Sequence, residues 1–365
     1  MKRKILILSC LLISCLGCSL VNGLVGFTRA KPTLEKQPTA AVQATNSMTA
    51  PEALKPENRV SPTDTPPAAP VKAAETGPTF GQPARVYLEY LSGRIGQRVD
   101  NTIGARQAVE YIREQFTQMG YEPEEQPFSY EDEDGGKARS ANVIAVKKGQ
   151  SERQIIVGAH YDSAADGGSL GADDNASGVA VVMEAAERLQ TLEPFYTIKF
   201  VAFGGEEVDL LGSAYYVSQM TRAEKDNTLV YINFDSLLAG NKTYIYGSGG
   251  EKGKVRNWAL ETAKTLSLNL QGQPKFSGGE EDDYSDHAAF RKAGIPFVYF
   301  EATDWALGDE DGWTQVDPQY GDNGEIWHTQ YDNLTYLEAT FPGRVNDHLS
   351  QFSTILYHIL TDYRE

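Results

Sequence analysis

Past residue 18 the chain contains no cysteine, because Cys10, Cys15 and Cys18 all lie in the N-terminal segment. The folded part therefore has no internal disulfide, and any metal site in it must be built from His, Asp and Glu. Basic residues are also scarce, with 33 Lys and Arg against 50 Asp and Glu and a net charge of -17. Phosphate backbones are bound by concentrated Lys and Arg surfaces; none is present, which excludes nucleic acid as a partner. Over residues 30–82 aromatic residues almost vanish while Pro, Ala and Thr accumulate. Such a stretch cannot bury enough apolar area to offset its ordering entropy, and it reads as an extended tether.

Ahead of the tether, Met1 to Lys4 is basic and Ile5 to Leu16 is apolar, the pattern of an export signal. The runs Leu12 to Cys15 and Leu16-Gly17-Cys18 resemble the lipobox of bacterial lipoproteins. Apolar character continuing through Val21, Leu24, Val25 and Phe27 also fits an uncleaved anchor. Either way the expected organisation is a signal, lipoprotein or anchor segment over 1–29, a tether over 30–82 and one domain over 83–365. The domain is expected outside the cytoplasm, touching the membrane only through its N-terminus. Oligomeric state is not legible.

From Pro83 onward globular patterning begins. Ala105, Ala108, Val109, Ile112 and Phe116 recur at helical spacing and Gly120 follows as a stop signal. Strands are expected at Ser140–Val146, Gln154–Gly158, Thr197–Phe203, Leu229–Phe234, Thr243–Tyr246 and Phe297–Phe300. Helices fit Gly178–Leu192, Leu211–Met220, Trp258–Leu266, Ser285–Ala293 and Arg344–Tyr363. This alternation predicts an α/β fold, a single domain with a central mixed, mostly parallel twisted sheet flanked by helices on both faces.

Polar residues cluster where these strands end. His160 and Asp162 close one apolar run, Asp173, Asp174 and Asn175 precede a helix, Glu206 and Glu207 follow Gly204-Gly205, and Asp235 ends another run. Open α/β sheets place their active crevice at strand ends. Buried carboxylates are expensive without compensation. A pair of divalent cations would compensate them, and the imidazoles of His160 and His328 favour zinc over magnesium or calcium. Singly, each of these residues has a plainer reading as a helix cap, a turn or a surface group.

Six pieces, GAHYDS, GADDNASG, GGEEVDLLGS, NFDS, YSDHAAF and WHTQYDNL, appear in the order found in the co-catalytic zinc aminopeptidases of metallopeptidase family twenty-eight. The resemblance runs from about Tyr87 to the C-terminus. It implies two zinc ions bridged by Asp174, with His160 and Asp235 completing one site and Glu207 and His328 the other. Glu206 would be the general base, and Asp162 would hydrogen-bond the His160 imidazole from behind. Asp286 would support the site, while Tyr284 would either donate to the tetrahedral intermediate or simply pack. His287, His348 and His358 are expected to be structural. The long acidic, aromatic segment Glu301 to Glu325 is expected to form a substrate rim, offering a carboxylate for a free ammonium and Trp305 or Trp313 as pocket walls; the alternative is a solvated or calcium-binding loop. The implied substrate is a peptide with a free N-terminus. Other readings are single-zinc glutaminyl cyclisation, another co-catalytic zinc exopeptidase or deacylase, and a metal-free scaffold.

Overall fold

The computed structural model describes residues 79–132, 134–165 and 167–365. The expected export segment, and the expected tether up to residue 78, lie outside the described residues. No helix among the described residues is long and apolar enough to cross a membrane.

Eight strands form one sheet: β1 (Glu124–Glu131), β2 (Lys137–Lys147), β3 (Ser151–His160), β4 (Tyr196–Phe203), β5 (Thr228–Phe234), β6 (Lys242–Gly247), β7 (Leu270–Gln271) and β8 (Phe297–Thr303). Their spatial order is β1-β2-β4-β3-β5-β8-β6-β7. The central β4, β3, β5 and β8 are mutually parallel, whereas β1 with β2, β2 with β4 and β6 with β8 pair antiparallel. The expected mixed sheet is thus parallel where it is most buried.

Side chains alternate between its two faces, as the period of two demands. Ile155, Val157, Phe200, Ala202, Ile232 and Phe234 pack on one side with the helices Ser177–Leu189 and Arg344–Asp362. Ile156, Val201, Phe203 and Tyr231 pack on the other with Tyr216 and Phe290. Because both faces are covered, the central strands read as continuous apolar runs rather than alternating ones.

Two boundaries differ from expectation. β1, with sequence EEQPFSYE, buries little beyond Phe128 and so carries no apolar signal. β8 extends through Thr303, so Glu301 is a buried strand residue and not the first residue of a loop.

The parallel register brings four strand ends to one edge: His160 pairs with Phe203, and Phe234 with Phe300. After Phe203 the chain must turn sharply to present Glu206 and Glu207. A Cβ on Gly204 would meet the Tyr161 hydroxyl at 2.3 Å, and Gly205 has φ +69°, a conformation glycine adopts without strain.

Candidate active site

The segment carrying Asp174 is fixed before the first turn of the helix Ser177–Leu189. Asp332 Oδ1 accepts from the Asp173 amide at 2.6 Å, and its Oδ2 accepts from the Ser169 hydroxyl at 3.0 Å and from the Asp174 amide at 3.3 Å. Asp173 points away from the crevice. It accepts from the amides of Leu238 at 2.5 Å and Ala239 at 3.1 Å, and from Gln315 Nε2 at 2.6 Å. The fully buried Arg98 donates to the carbonyls of Tyr161, Gly96, Leu170 and Gly171 at 2.7–2.9 Å. The end of β3 and the approach to Asp174 are thereby tied together.

On this frame the five expected ligands converge. His160 Nε2 lies 3.2 Å from Asp174 Oδ1 and 3.3 Å from Asp235 Oδ1. His328 Nε2 lies 3.1 Å from Asp174 Oδ2 and 3.1 Å from Glu207 Oε2. Asp174 therefore presents one oxygen to each of two clusters. Glu206 Oε2 is 3.8 Å from His160 Nε2. The sets His160, Glu206, Asp235 and His160, Asp174, Glu207 each place one donor atom per residue within 4.8 Å of the others.

Asp162 is used differently from expectation. Its carboxylate is 3.6 Å from His160 Nδ1, beyond a good hydrogen bond. Nδ1 instead donates to the Asp162 main-chain carbonyl at 3.2 Å, which leaves Nε2 as the ligand atom. The Asp162 carboxylate accepts from the amides of Glu206 at 3.2 Å and Glu207 at 3.1 Å, so it orients the glutamate pair as well as lying behind the imidazole. Asp235 Oδ2 accepts from the Ser285 hydroxyl at 2.6 Å, and Ser285 in turn accepts from Asn233 Nδ2 at 2.8 Å.

Asp286 is fully buried beside this cluster with no hydrogen-bond partner on either carboxylate oxygen, and burial pushes it up to about 7. His287 donates to the Asp282 carbonyl at 2.7 Å and stacks on Phe297 and Tyr299, and His348 donates to the Leu237 carbonyl at 2.9 Å. His358 pairs with Asp362 at 2.6 Å, so all three serve the fold. Tyr284 lines the cavity in front of the ligands together with Trp313, whereas Trp305 is buried and donates to the Tyr246 hydroxyl at 2.6 Å. Of the two tryptophans expected as pocket walls, only Trp313 is one. The loop that carries it is not merely solvated, since Gln315 pins it by bonding Asp173 and accepting from the amides of Ile326 and Trp327 at 2.9 and 3.0 Å.

The donor set fits divalent cations. Burial pushes Glu207 up to about 7, with Asp174 adding repulsion, and Glu207 Oε1 has no partner. Glu206 is raised as well, first by burial and also by Asp235, Asp286 and Glu207, which outweigh the opposing effect of His160. Hydrogen bonds to Asp174 and Glu207 push His328 up to about 11, and the surrounding carboxylates raise His160 despite its burial. Without cations, protons must supply the missing positive charge. Nitrogen and oxygen donors in this ratio suit zinc.

Asp173 was legible at the site but not in its supporting role, and Arg98, Gln315, Asp332 and Ser285 were not legible as site residues. For the last two a signal existed: Asp332 lies four residues past His328 in WHTQYDNL, and Ser285 lies within YSDHAAF.

The sequence model of Peptidase family M28 matches residues 142–353. The alkaline phosphatase isozyme conversion protein of Escherichia coli is 32% identical over 306 residues, covering 76% of this chain and 88% of that protein. Aminopeptidase YwaD of Bacillus subtilis is 30% identical over 207 residues, 54% of this chain and 40% of its own length. Among solved structures, a zinc aminopeptidase from Bacillus subtilis superposes with TM-score 0.63 at 18% identity, covering 79% of this chain and 97% of that one. A glutaminyl cyclase from Porphyromonas gingivalis does so with TM-score 0.61 at 21% identity, covering 77% and 98%. At those identities the structures establish the shared fold, while the sequence matches span the motifs from Asn142 to Ser353; the chain is a metallopeptidase that belongs to peptidase family M28.

Proposed function

We propose that this chain is an aminopeptidase that works with two zinc ions and Glu206 as general base. The observation that supports it is the sharing of Asp174, one carboxylate oxygen lying 3.2 Å from His160, which also faces Asp235, and the other 3.1 Å from His328, which also faces Glu207. His160, Asp174 and Asp235 would hold one ion, and Asp174, Glu207 and His328 the other. When bound, such a pair supplies positive charge that polarises a peptide carbonyl and makes a water acidic. Glu206 takes the proton of the attacking water at its carboxylate and returns it to the leaving amine. The Asp162 carboxylate holds the Glu206 amide, and so the base, at the edge of the cavity. Tyr284 and Trp313 line that cavity.

Glutaminyl cyclisation, read from the sequence as single-zinc chemistry, has less support, since both clusters retain a full set of ligands. Metal analysis of residues 79–365 is expected to give two equivalents of zinc. Glu206→Gln is expected to lower kcat by about 10²–10⁴ with that zinc retained. Free N-terminal peptides should be cleaved and N-acetylated ones spared; indifference to acetylation, or a near-native Glu206→Gln rate, would overturn the reading. We also propose export and N-terminal tethering by residues 1–29, tested by the intact mass of membrane-extracted protein.

A further inference from the structure

We propose that the end of the domain opposite the crevice docks on an anionic lipid bilayer, leaving the crevice facing away from the membrane. The proposal rests on the N-terminal tethering proposed above and adds a second membrane contact, made by the domain itself.

Strands β3 and β4 both start at this end, where Ser151 pairs with Tyr196, and β3 rises roughly 30 Å from there to His160. β2 arrives with Lys147 opposite Ile198, β5 starts with Thr228 opposite Gln154, and β6 ends with Gly247 opposite Val298 near the start of β8. Residues 147–153, 190–195, 221–227, 248–254, 292–296 and 363–365 close this end, and they carry nine Lys and Arg against six Asp and Glu. Segments 204–210 and 304–333, which border the crevice, carry eleven Asp and Glu and no Lys or Arg. The net charge of -17 is therefore polarised along the strands, and this end is where an anionic surface can approach. The cations are dispersed in sequence, and it is the fold that gathers them.

Several of them face solvent without a counter-charge. Glu365 is paired with Arg153 and Lys254, Asp226 with Arg222, and Glu224 with Lys199. Lys148, Lys252 and Arg364 are exposed and have no carboxylate within 4.0 Å among the described residues. Lys252 donates to the Gly294 carbonyl at 2.9 Å, which places it without neutralising it. Arg364 lies 5.0 Å over the ring of Phe195. Phe195 and Leu192, on the turn that enters β4, are 37% and 38% exposed. An anionic bilayer recognises this combination, its phosphates meeting the cations while the apolar groups sink among the headgroups.

Residues 1–78 join the domain at the same end. Arg188, in the last turn of the helix Ser177–Leu189, donates to the Thr79 carbonyl at 2.7 Å and lies 4.2 Å over the Phe80 ring. A chain anchored through its N-terminus is thus held by the end that carries the cations, and a weak attraction suffices once the surface is already close. The entry point of the chain and the apolar pair favour a bilayer over a soluble polyanion.

The test dilutes the membrane-extracted protein into preformed vesicles of phosphatidylcholine, alone or mixed equally with phosphatidylglycerol. Lysine acetylation by a membrane-impermeant reagent is followed by mass spectrometry. On the mixed vesicles Lys148, Lys252 and Lys292 are expected to react at least about 5-fold more slowly than on phosphatidylcholine, an effect removed by high salt. Lys137, which opens β2 at the crevice end, should react equally on both. Lys148→Glu combined with Lys252→Glu should abolish the protection of Lys292. Equal rates on the two vesicle types overturn the docking face and leave the tether in place, as does protection of Lys292 that survives the charge reversal. Flotation separates the two readings. A protein that fails to float with phosphatidylcholine loses the tether reading; salt-sensitive flotation with the mixed vesicles alone then upholds the docking face, and flotation with neither overturns both.

Discussion

Replacing Asp332 by asparagine tests whether the ligand cage is held from behind. The carboxylate accepts from two buried main-chain amides, those of Asp173 at 2.6 Å and Asp174 at 3.3 Å, and from the Ser169 hydroxyl at 3.0 Å. It is also the negative charge that most favours the ionised form of the fully buried Arg98. Asparagine fills the same space but offers one acceptor oxygen, so one of the two amides must face an NH₂ group. A stranded buried donor costs about 1–3 kcal/mol. The weakened support of Arg98 adds to this, while relief of the repulsion from Asp173 and Asp174 subtracts from it. The net loss should be about 2–4 kcal/mol, or about 5–10 °C in Tm for a domain of this size. Circular-dichroism melts in excess chelator would measure it without interference from metal release. Because the Asp174 segment loses its anchor, zinc affinity by chelator competition should also weaken about 10- to 100-fold. An unchanged Tm together with zinc affinity within twofold would refute the reasoning.

Three further outcomes follow from the same geometry. Arg98→Lys should lower Tm by more than a surface substitution would, because an ammonium can donate three of the guanidinium's hydrogen bonds and leaves main-chain carbonyls unpaired; a melt within 1 °C or so of the parent would contradict this. In chelator-treated protein, stability should fall as pH rises from about 6.5 to 8. His328, held up to about 11 against about 6.5 unfolded, keeps its proton across this range while the unfolded chain loses one, whereas Asp173, Glu207 and Asp286, with folded values near 7 against about 4 unfolded, lose their contribution mainly between those two values and add to the fall only at its start. The buried His287 and His348, lowered to about 4, act in the opposite sense only below about 6.5, outside that window. Saturating zinc should flatten or invert the slope, and identical pH profiles with and without metal would count against the site. Ser285→Ala should weaken zinc binding about 10-fold, since Asp235 loses its donor; chelator competition reads this directly.

The parts of this molecule that could be read from its sequence are those where local chemistry decides. Central strands were legible because burial on both faces makes them apolar throughout, and the five candidate ligands because each lies within a recognisable motif. β1 was invisible because an edge strand with Pro127 and mostly exposed residues has no pattern to read. Glu301 was taken for a loop residue because nothing local says that tyrosines will bury it. The second role of Asp162 was not legible, because nothing in the spacing of residues 160 and 162 shows that its carboxylate, 3.6 Å from the His160 imidazole, also accepts from the amides of residues 206 and 207. The supports Arg98, Gln315 and Asp332 act on segments 63 to 159 residues away, separations at which spacing carries no information.

Asp173 and Asp332 grip amides from two remote stretches of chain without facing the crevice themselves. The candidate ligands are consequently held in place by the polypeptide alone, so assembly of the protein and uptake of the proposed ions are separable events. Stripped protein should refold unaided and accept cobalt or manganese into the same seats, with ion exchange limited by diffusion into the crevice and not by reorganisation of the chain.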